Sequence, residues 1–347
     1  MRAVILNGPH DVSVETVDDP GLTGPDGIVV EVERTAICGS DLHLYHGDFA
    51  TPGVHLGHES IGRVVEVGDD VRTVAVDDRV LVSGVVGCGA CKECVSGWPM
   101  RCLNGGSQVF GVSPDLDGSQ AEYVAVPAAD TAVHAIPESI SDDQAVLLTD
   151  ILPTGFIGAR RADIEPGSTV AVIGLGPVGI CALRAAKLYS PARIIAVDPV
   201  GHRRAHAERL GVETVDPAGG GAMAQLLELT GGRGPQSIIE AVGLDETITD
   251  AVMSVAPGGT VSVVGANSNL AHPFPMGIAL FKGITFRIAV ADIPSTWDNL
   301  IPLVAAGHLH PEDVFTHRMG LSEAAQAYRI FDDKADDVMK VLLDPRL

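Results

Sequence analysis

Residues 1 to about 90 alternate short apolar runs with Gly-, Pro- and Asp-rich breaks. Ile28 to Val32, Gly62 to Val67 and Arg79 to Val82 each read as a β-strand bounded by turn residues. This pattern predicts an all-β domain with its functional side chains in loops. Strand character returns from Leu116 to Ala128. Ser141 then opens a predicted helix with Asp142 and Asp143 in its first turn, running on to an end at Pro153. Past Glu165-Pro166-Gly167 the period changes. Strands ending near Ile173 and Asp198, near Thr214, at Ser237 to Ala241 and at Thr260 to Gly265 alternate with helices across Ala205 to Leu210 and Met223 to Thr230. Alternation of this kind means a parallel, doubly wound α/β sheet. After Lys282 come a strand-like T-F-R-I-A-V, a helix from Ser295 to Ala306 and an apolar ending. This tail reads as a return to the first domain, which gives residues 1–153 with 291–347 as one domain and 154–290 as the other.

The turn after the first strand of the second domain is G-L-G-P-V-G, so Gly174, Gly176 and Gly179 fill G-x-G-x-x-G, with Pro177 and Val178 between. Between a strand and a helix this is the Rossmann fingerprint, and it predicts a dinucleotide pyrophosphate over the helix N-terminus. Asp198 ends the second strand 24 residues after Gly174, where a carboxylate accepts from ribose hydroxyls and favours NAD. Arg203 and Arg204 just beyond could instead meet the 2′-phosphate of NADP.

At 347 residues the chain exceeds one typical domain of about 150 residues. Its 46% hydrophobic content supports a packed core throughout. A formal charge of -22 argues against nucleic acid or an anionic membrane as partner. Only 5 of the 23 basic residues are Lys, a bias that genome composition and a salty habitat both produce. The N-terminal apolar run is too short for a signal peptide and no 18-residue apolar span occurs, so the expected compartment is the cytoplasm.

Six cysteines in that setting suggest metal or catalysis rather than disulfides. Cys88, Cys91, Cys94 and Cys102, with two, two and seven residues between them, match a closed structural zinc site, with an iron–sulfur cluster as the competing reading. Cys38 and His58 offer zinc's preferred donors, with Ser40 and His43 within five residues of the cysteine. A buried cysteine and a core histidine are the plain alternative. Asp150 stands alone in an apolar stretch, where either a metal ion or a helix-end cap would compensate its charge.

Together these motifs resemble the zinc-containing alcohol dehydrogenases of the medium-chain dehydrogenase/reductase superfamily. The residues that carry the resemblance are Gly57-His-Glu-x-x-Gly62-x5-Gly68-x2-Val71, C-G-S-D-x-H, the four-cysteine lobe and the glycine fingerprint. The resemblance implies a mostly-β GroES-like catalytic domain beside the Rossmann domain, and two zinc ions per chain. Cys38, His58 and Asp150 would hold the catalytic zinc with Glu59 as a close or alternating ligand, while Asp41 would orient His58. Ser40 and His43 would relay the alcohol proton, Thr154 would meet the nicotinamide, Arg203 the adenosine ribose and Lys340 a phosphate. Leu44, Tyr45, Phe110 and Trp297 are candidate pocket walls. The implied activity is reversible, NAD-linked oxidation of a small alcohol to an aldehyde or ketone by a homodimer or homotetramer. Asp150 within T-D-I-L-P-T-G-F looks most like the secondary-alcohol and formaldehyde branch, although the insertion expected of formaldehyde enzymes is absent. Secondary-alcohol members, for their part, often lack the four-cysteine lobe. Polyol, sugar and threonine dehydrogenases share the frame. In another class, a non-catalytic zinc-stabilised binding protein would have no use for the relay residues.

Overall fold

The strand Ile28–Ala36, with nearly every apolar side chain buried, is the spine of the first unit of the computed structural model, which describes residues 1–48, 52–269 and 271–347. It pairs antiparallel with Ser60–Val67, Tyr123–Val126 and Lys340–Asp344. Phe315–Gly320 joins the far side of Lys340–Asp344 in parallel. The chain divides into two compact units, Met1–Pro153 with Asp292–Leu347, and Thr154–Ala291.

Within the first unit a second, three-stranded sheet is formed by Arg2–Gly8, Asp11–Thr16 and Val54–His55. Val4, Leu6, Ile37, Leu56, Tyr328 and Val341 pack into one of its cores. The functional stretches are not all loops as expected, because Asp41–His46 forms a short helix ended by Gly47 at φ 95°. The helix predicted to end at Pro153 is two helices, Asp142–Leu147 and Ile151–Arg161. Ser141 caps the first through a reciprocal bond with Gln144. Pro153 occupies the third position of the second, where a missing N–H removes no intrahelical bond.

In the second unit six parallel strands lie in the order Glu213–Val215, Arg193–Val197, Thr169–Ile173, Ser237–Glu240, Thr260–Val263, Thr285–Ile288. Numbered along the chain this is 3-2-1-4-5-6, the doubly wound dinucleotide-binding order, as the alternating pattern predicted. T-F-R-I therefore belongs to this sheet. Helices at Asp245–Ser254 and Met276–Lys282, and Ala324–Asp333 in the first unit, had no counterpart in the sequence reading.

Candidate active site and metal centres

The antiparallel pair Thr35↔Ser60 explains why Cys38 and His58 meet: the chain leaves one strand just before Cys38 and enters its neighbour just after Glu59. Ligand atoms of Cys38, His58, Glu59 and Asp150 all lie within 4.8 Å of one another. Asp150 Oδ2 is 3.3 Å from Cys38 Sγ and 3.5 Å from His58 Nε2. It directly precedes the Ile151–Arg161 helix, in a turn held by Trp297 Nε1 donating to Leu148 O and Gly84 N donating to Thr149 O.

Asp41 Oδ1 lies 3.1 Å from His58 Nδ1, on the side of the ring away from the cluster. A proton on Nδ1 leaves the Nε2 lone pair free for a metal. Asp41 is itself held, its Oδ2 accepting from Cys38 N at 2.9 Å and Gln120 Nε2 at 3.1 Å. Tyr328 OH donates to Gln120 Oε1 at 2.9 Å, extending the chain of contacts. Gly57, at φ 98°, is required here, since a Cβ would strike Gln120. Gln120 and Tyr328 escaped the sequence reading, because nothing in their local pattern marks them. Ser40 Oγ reaches Cys38 Sγ and His58 Nε2, each at 3.2 Å. His43, on the short helix, is half-buried with Nδ1 3.2 Å from Asp48 Oδ2.

Burial and then the Asp150 carboxylate push the Cys38 thiol up to about 11. Burial draws His58 down, but Asp41 and then Cys38 lift it well above 6.5. Both shifts follow from burial together with the negative charge gathered here, which a bound metal cation would offset. Glu59 Oε2 is buried with no hydrogen-bond partner among the described residues, so a donor atom in this cluster is left for a ligand. Thiolate, imidazole and carboxylate are the donor set zinc takes, and the residues fit the ion.

Lys340 does not stand where a cofactor phosphate could meet it. Its side chain is fully buried, and Nζ donates to Glu59 Oε1 at 2.7 Å and Ile37 O at 3.0 Å. The proposed pocket walls are also core: Leu44, Tyr45, Phe110 and Trp297 are all 1–4% exposed.

Cys88, Cys91, Cys94 and Cys102 converge as spaced, with Cys91 Sγ 3.4 Å and Cys88 Sγ 4.0 Å from Cys94 Sγ. Zn–S bonds of about 2.3 Å in tetrahedral array put sulfurs about 3.8 Å apart, between those two values. Amides from Leu103 and then Cys94 bring the Cys91 thiol down to about 6, while burial takes Cys94 up to about 12. No cysteine is in a disulfide.

In the second unit Gly176 caps the Pro177–Lys187 helix, with Pro177 at its first position and Val178 next. Gly179 faces Gly174 O so closely that any Cβ would collide with it. Asp198 is buried and accepts from Leu175 N at 2.7 Å and Val200 N at 2.8 Å. Arg203 Nη1 lies 3.9 Å from Asp198 Oδ2 and borders Gly176. Arg204 is engaged with Asp216, Nη2 to Oδ2 at 2.8 Å. Thr154 is on the Ile151–Arg161 helix.

One unit bearing soft-metal donors and another bearing a glycine turn on a doubly wound sheet define a metal-dependent dehydrogenase of the medium-chain type. Family profiles agree: residues 24–138 match the "Alcohol dehydrogenase GroES-like domain" and residues 177–306 the "Zinc-binding dehydrogenase" domain. The protein named "Probable zinc-binding alcohol dehydrogenase Rv1895" in Mycobacterium tuberculosis is 46% identical over 99% of this chain and 89% of its own. The solved alcohol dehydrogenase TADH from Thermus sp. ATN1 is 36% identical, covers 99% of both chains and superposes with a TM-score of 0.92. A solved zinc-binding dehydrogenase of Sinorhizobium meliloti 1021, bound to NADP, is 30% identical over 99% of both chains, with a TM-score of 0.85. The chain belongs to the zinc-type alcohol dehydrogenase family and is an oxidoreductase, as its motifs indicated. No helix among the described residues is long and apolar enough to cross a membrane.

Proposed function

We propose that the protein oxidises a small alcohol reversibly to an aldehyde or ketone with NAD, using one catalytic and one structural zinc ion. The observation that carries this reading is the convergence of Cys38, His58, Glu59 and Asp150, with Ser40 Oγ against two of them. A zinc ion held there would act as a Lewis acid on the alcohol hydroxyl, and NAD would take up the hydride. Cys38, His58 and Asp150 are the assigned ligands and Glu59 a close or alternating one. Asp41 fixes the His58 tautomer. Ser40 accepts the hydroxyl proton and passes it through the cofactor ribose and His43 to water. Residues 1–153 and 291–347 thus form the catalytic domain, and residues 154–290 the cofactor domain.

Gly174, Gly176, Pro177, Val178 and Gly179 cradle the pyrophosphate at the Pro177–Lys187 helix N-terminus, with Thr154 assigned to the nicotinamide. Asp198 and Arg203 take the adenosine ribose. NAD is favoured because the buried Asp198 carboxylate would repel a 2′-phosphate and Arg204 is already paired. Lys340 has no part in cofactor binding in this reading.

A homodimer or homotetramer is supported by Phe281, Leu280 and Met276, which are 91%, 76% and 67% exposed beside the sheet's edge strand Thr285–Ile288. Six free cysteines suit the cytoplasm.

The test is NADH formation by zinc-loaded protein across a panel of alcohols, with two variants. His43→Ala should slow turnover most at low pH, where hydroxide cannot replace the relay, and should leave zinc content unchanged. Asp150→Ala should lower zinc occupancy. A protein that binds zinc and NAD yet turns over no alcohol is instead a binding protein that has kept the fold.

A further inference from the structure

A third group of metal-type donors lies in the first unit and belongs to neither zinc centre: His10, His46 and Asp332, each offering one ligand atom within 4.8 Å of the others. They come from three elements. His10 sits in the turn between Arg2–Gly8 and Asp11–Thr16, His46 ends the Asp41–His46 helix, and Asp332 is next to last in Ala324–Asp333.

The turn is held in an unfavourable form. His10 has φ 58°, a left-handed conformation that residues with a Cβ disfavour. It is fixed there by its own N–H, which donates to Tyr45 O at 2.7 Å, and by the Tyr45 ring, edge-on at 4.9 Å. Burial of Tyr328 and Phe331 fixes the helix that carries Asp332. The result is that both oxygens of one carboxylate face an imidazole. His46 Nε2 is 2.7 Å from Asp332 Oδ1, and His10 Nδ1 is 3.7 Å from Asp332 Oδ2. A simple ion pair would need only one ring.

We propose that His10, His46 and Asp332 bind a divalent zinc-like cation at the protein surface, with water completing its coordination. Tetrahedral ligands about 2.1 Å from zinc stand about 3.4 Å apart, and the three donor atoms, one per residue, already lie within 4.8 Å of one another, so side-chain adjustments of about 1 Å bring them to that spacing. Two imidazoles and one carboxylate suit zinc, cobalt or nickel rather than magnesium or calcium. The local field also attracts a cation. Burial and then Asp332, Asp333 and Asp11 raise the Tyr45 phenol against Arg329, and the whole chain carries -22. Bound metal would tie the hairpin turn and the C-terminal helix to the helix that carries Asp41 and His43.

The test is equilibrium dialysis of the full-length, zinc-replete protein against added zinc, with metal measured by atomic absorption, for wild type, His10→Gly and Asp332→Asn. Glycine suits the left-handed turn, so His10→Gly removes the ligand without straining the fold and keeps the test valid if Asp332→Asn folds poorly. Wild type should take up one more zinc equivalent than either variant. Its melting temperature should rise with added zinc while that of His10→Gly does not, and turnover should be the same in wild type and His10→Gly. Cobalt added in place of zinc should give a visible absorption band in wild type that His10→Gly lacks. Equal zinc uptake by wild type and His10→Gly would overturn the proposal.

Discussion

Lys340 Nζ donates to Glu59 Oε1 at 2.7 Å, and neither side chain has any exposed surface. Burial alone would draw the ammonium down, but the Glu59 carboxylate raises it above 10.5 and keeps it charged. Removing one partner leaves a buried charge without compensation, which costs about 3 to 5 kcal/mol. Lys340→Met should lose stability by that amount in denaturant titration, with little change in the KM for cofactor. The opposite result, intact stability with a raised cofactor KM, would restore Lys340 to the phosphate site.

The four-sulfur lobe makes a separate prediction, because Cys91 N and Asn104 Nδ2 both donate to Cys88 Sγ, so the sulfurs are held together even before a metal joins them. Cys91→Ser should contain one zinc fewer than wild type and keep the zinc bound by Cys38 and His58. Loss of a structural metal belongs with the rare single changes above about 4 kcal/mol. In a unit of this size that is roughly 8 to 16 °C in Tm. Elemental analysis and calorimetry read the two effects, and iron with visible absorbance in place of zinc would sink the assignment.

What the sequence made legible was local. Cys88 to Cys102 lie in one short segment, and the glycine turn announces itself between a strand and a helix. Cys38 and His58 stand 20 residues apart, just beyond the paired ends of two neighbouring strands. What stayed hidden was created by packing across long separations: Lys340 reaches Glu59 over 281 residues, and Tyr328 reaches Gln120 over 208. No periodicity reports such a pair. Arg204 illustrates the same limit, since its pairing with Asp216 depends on the Gly201–Arg209 helix facing the turn after Glu213–Val215. The helix Met276–Lys282 was missed because its apolar residues face solvent, which breaks the amphipathic pattern used to find helices.

Glu240 gives stability a pH dependence with a definite sign. It ends the strand Ser237–Glu240 fully buried, its Oε1 accepting from Val242 N, Gly243 N and Thr247 Oγ1. Burial nevertheless raises it above its ordinary 4.5. The folded state then holds a proton that the unfolded state has released. Its contribution is complete below 4.5 and is lost as pH rises through the raised value. Glu240→Gln carries no charge at any pH, so the Tm of the variant minus that of wild type should grow with pH across this window and level off above it. A difference that stays constant or shrinks would mean the carboxylate is not penalised by burial.

The proposed preference for NAD rests on Asp198, whose carboxylate is locked in place by Leu175 N and Val200 N. So fixed, it can still accept from ribose hydroxyls through its remaining lone pairs, but it cannot swing away from a 2′-phosphate. A lost pair of hydrogen bonds plus like-charge repulsion is worth about 2 to 4 kcal/mol, which corresponds to a roughly 30- to 1000-fold preference for NAD in kcat/KM. Asp198→Gly should erode that preference. Of the two nearby cations, Arg203 should carry the gain toward NADP, because its Nη1 is 3.9 Å from the carboxylate while Arg204 is held by Asp216. The double variant Asp198→Gly/Arg203→Ala should therefore lose NAD preference without gaining NADP activity. Measuring kcat/KM with both cofactors for all three proteins decides it: equal use by wild type, or an unchanged ratio in Asp198→Gly, would remove Asp198 from the ribose.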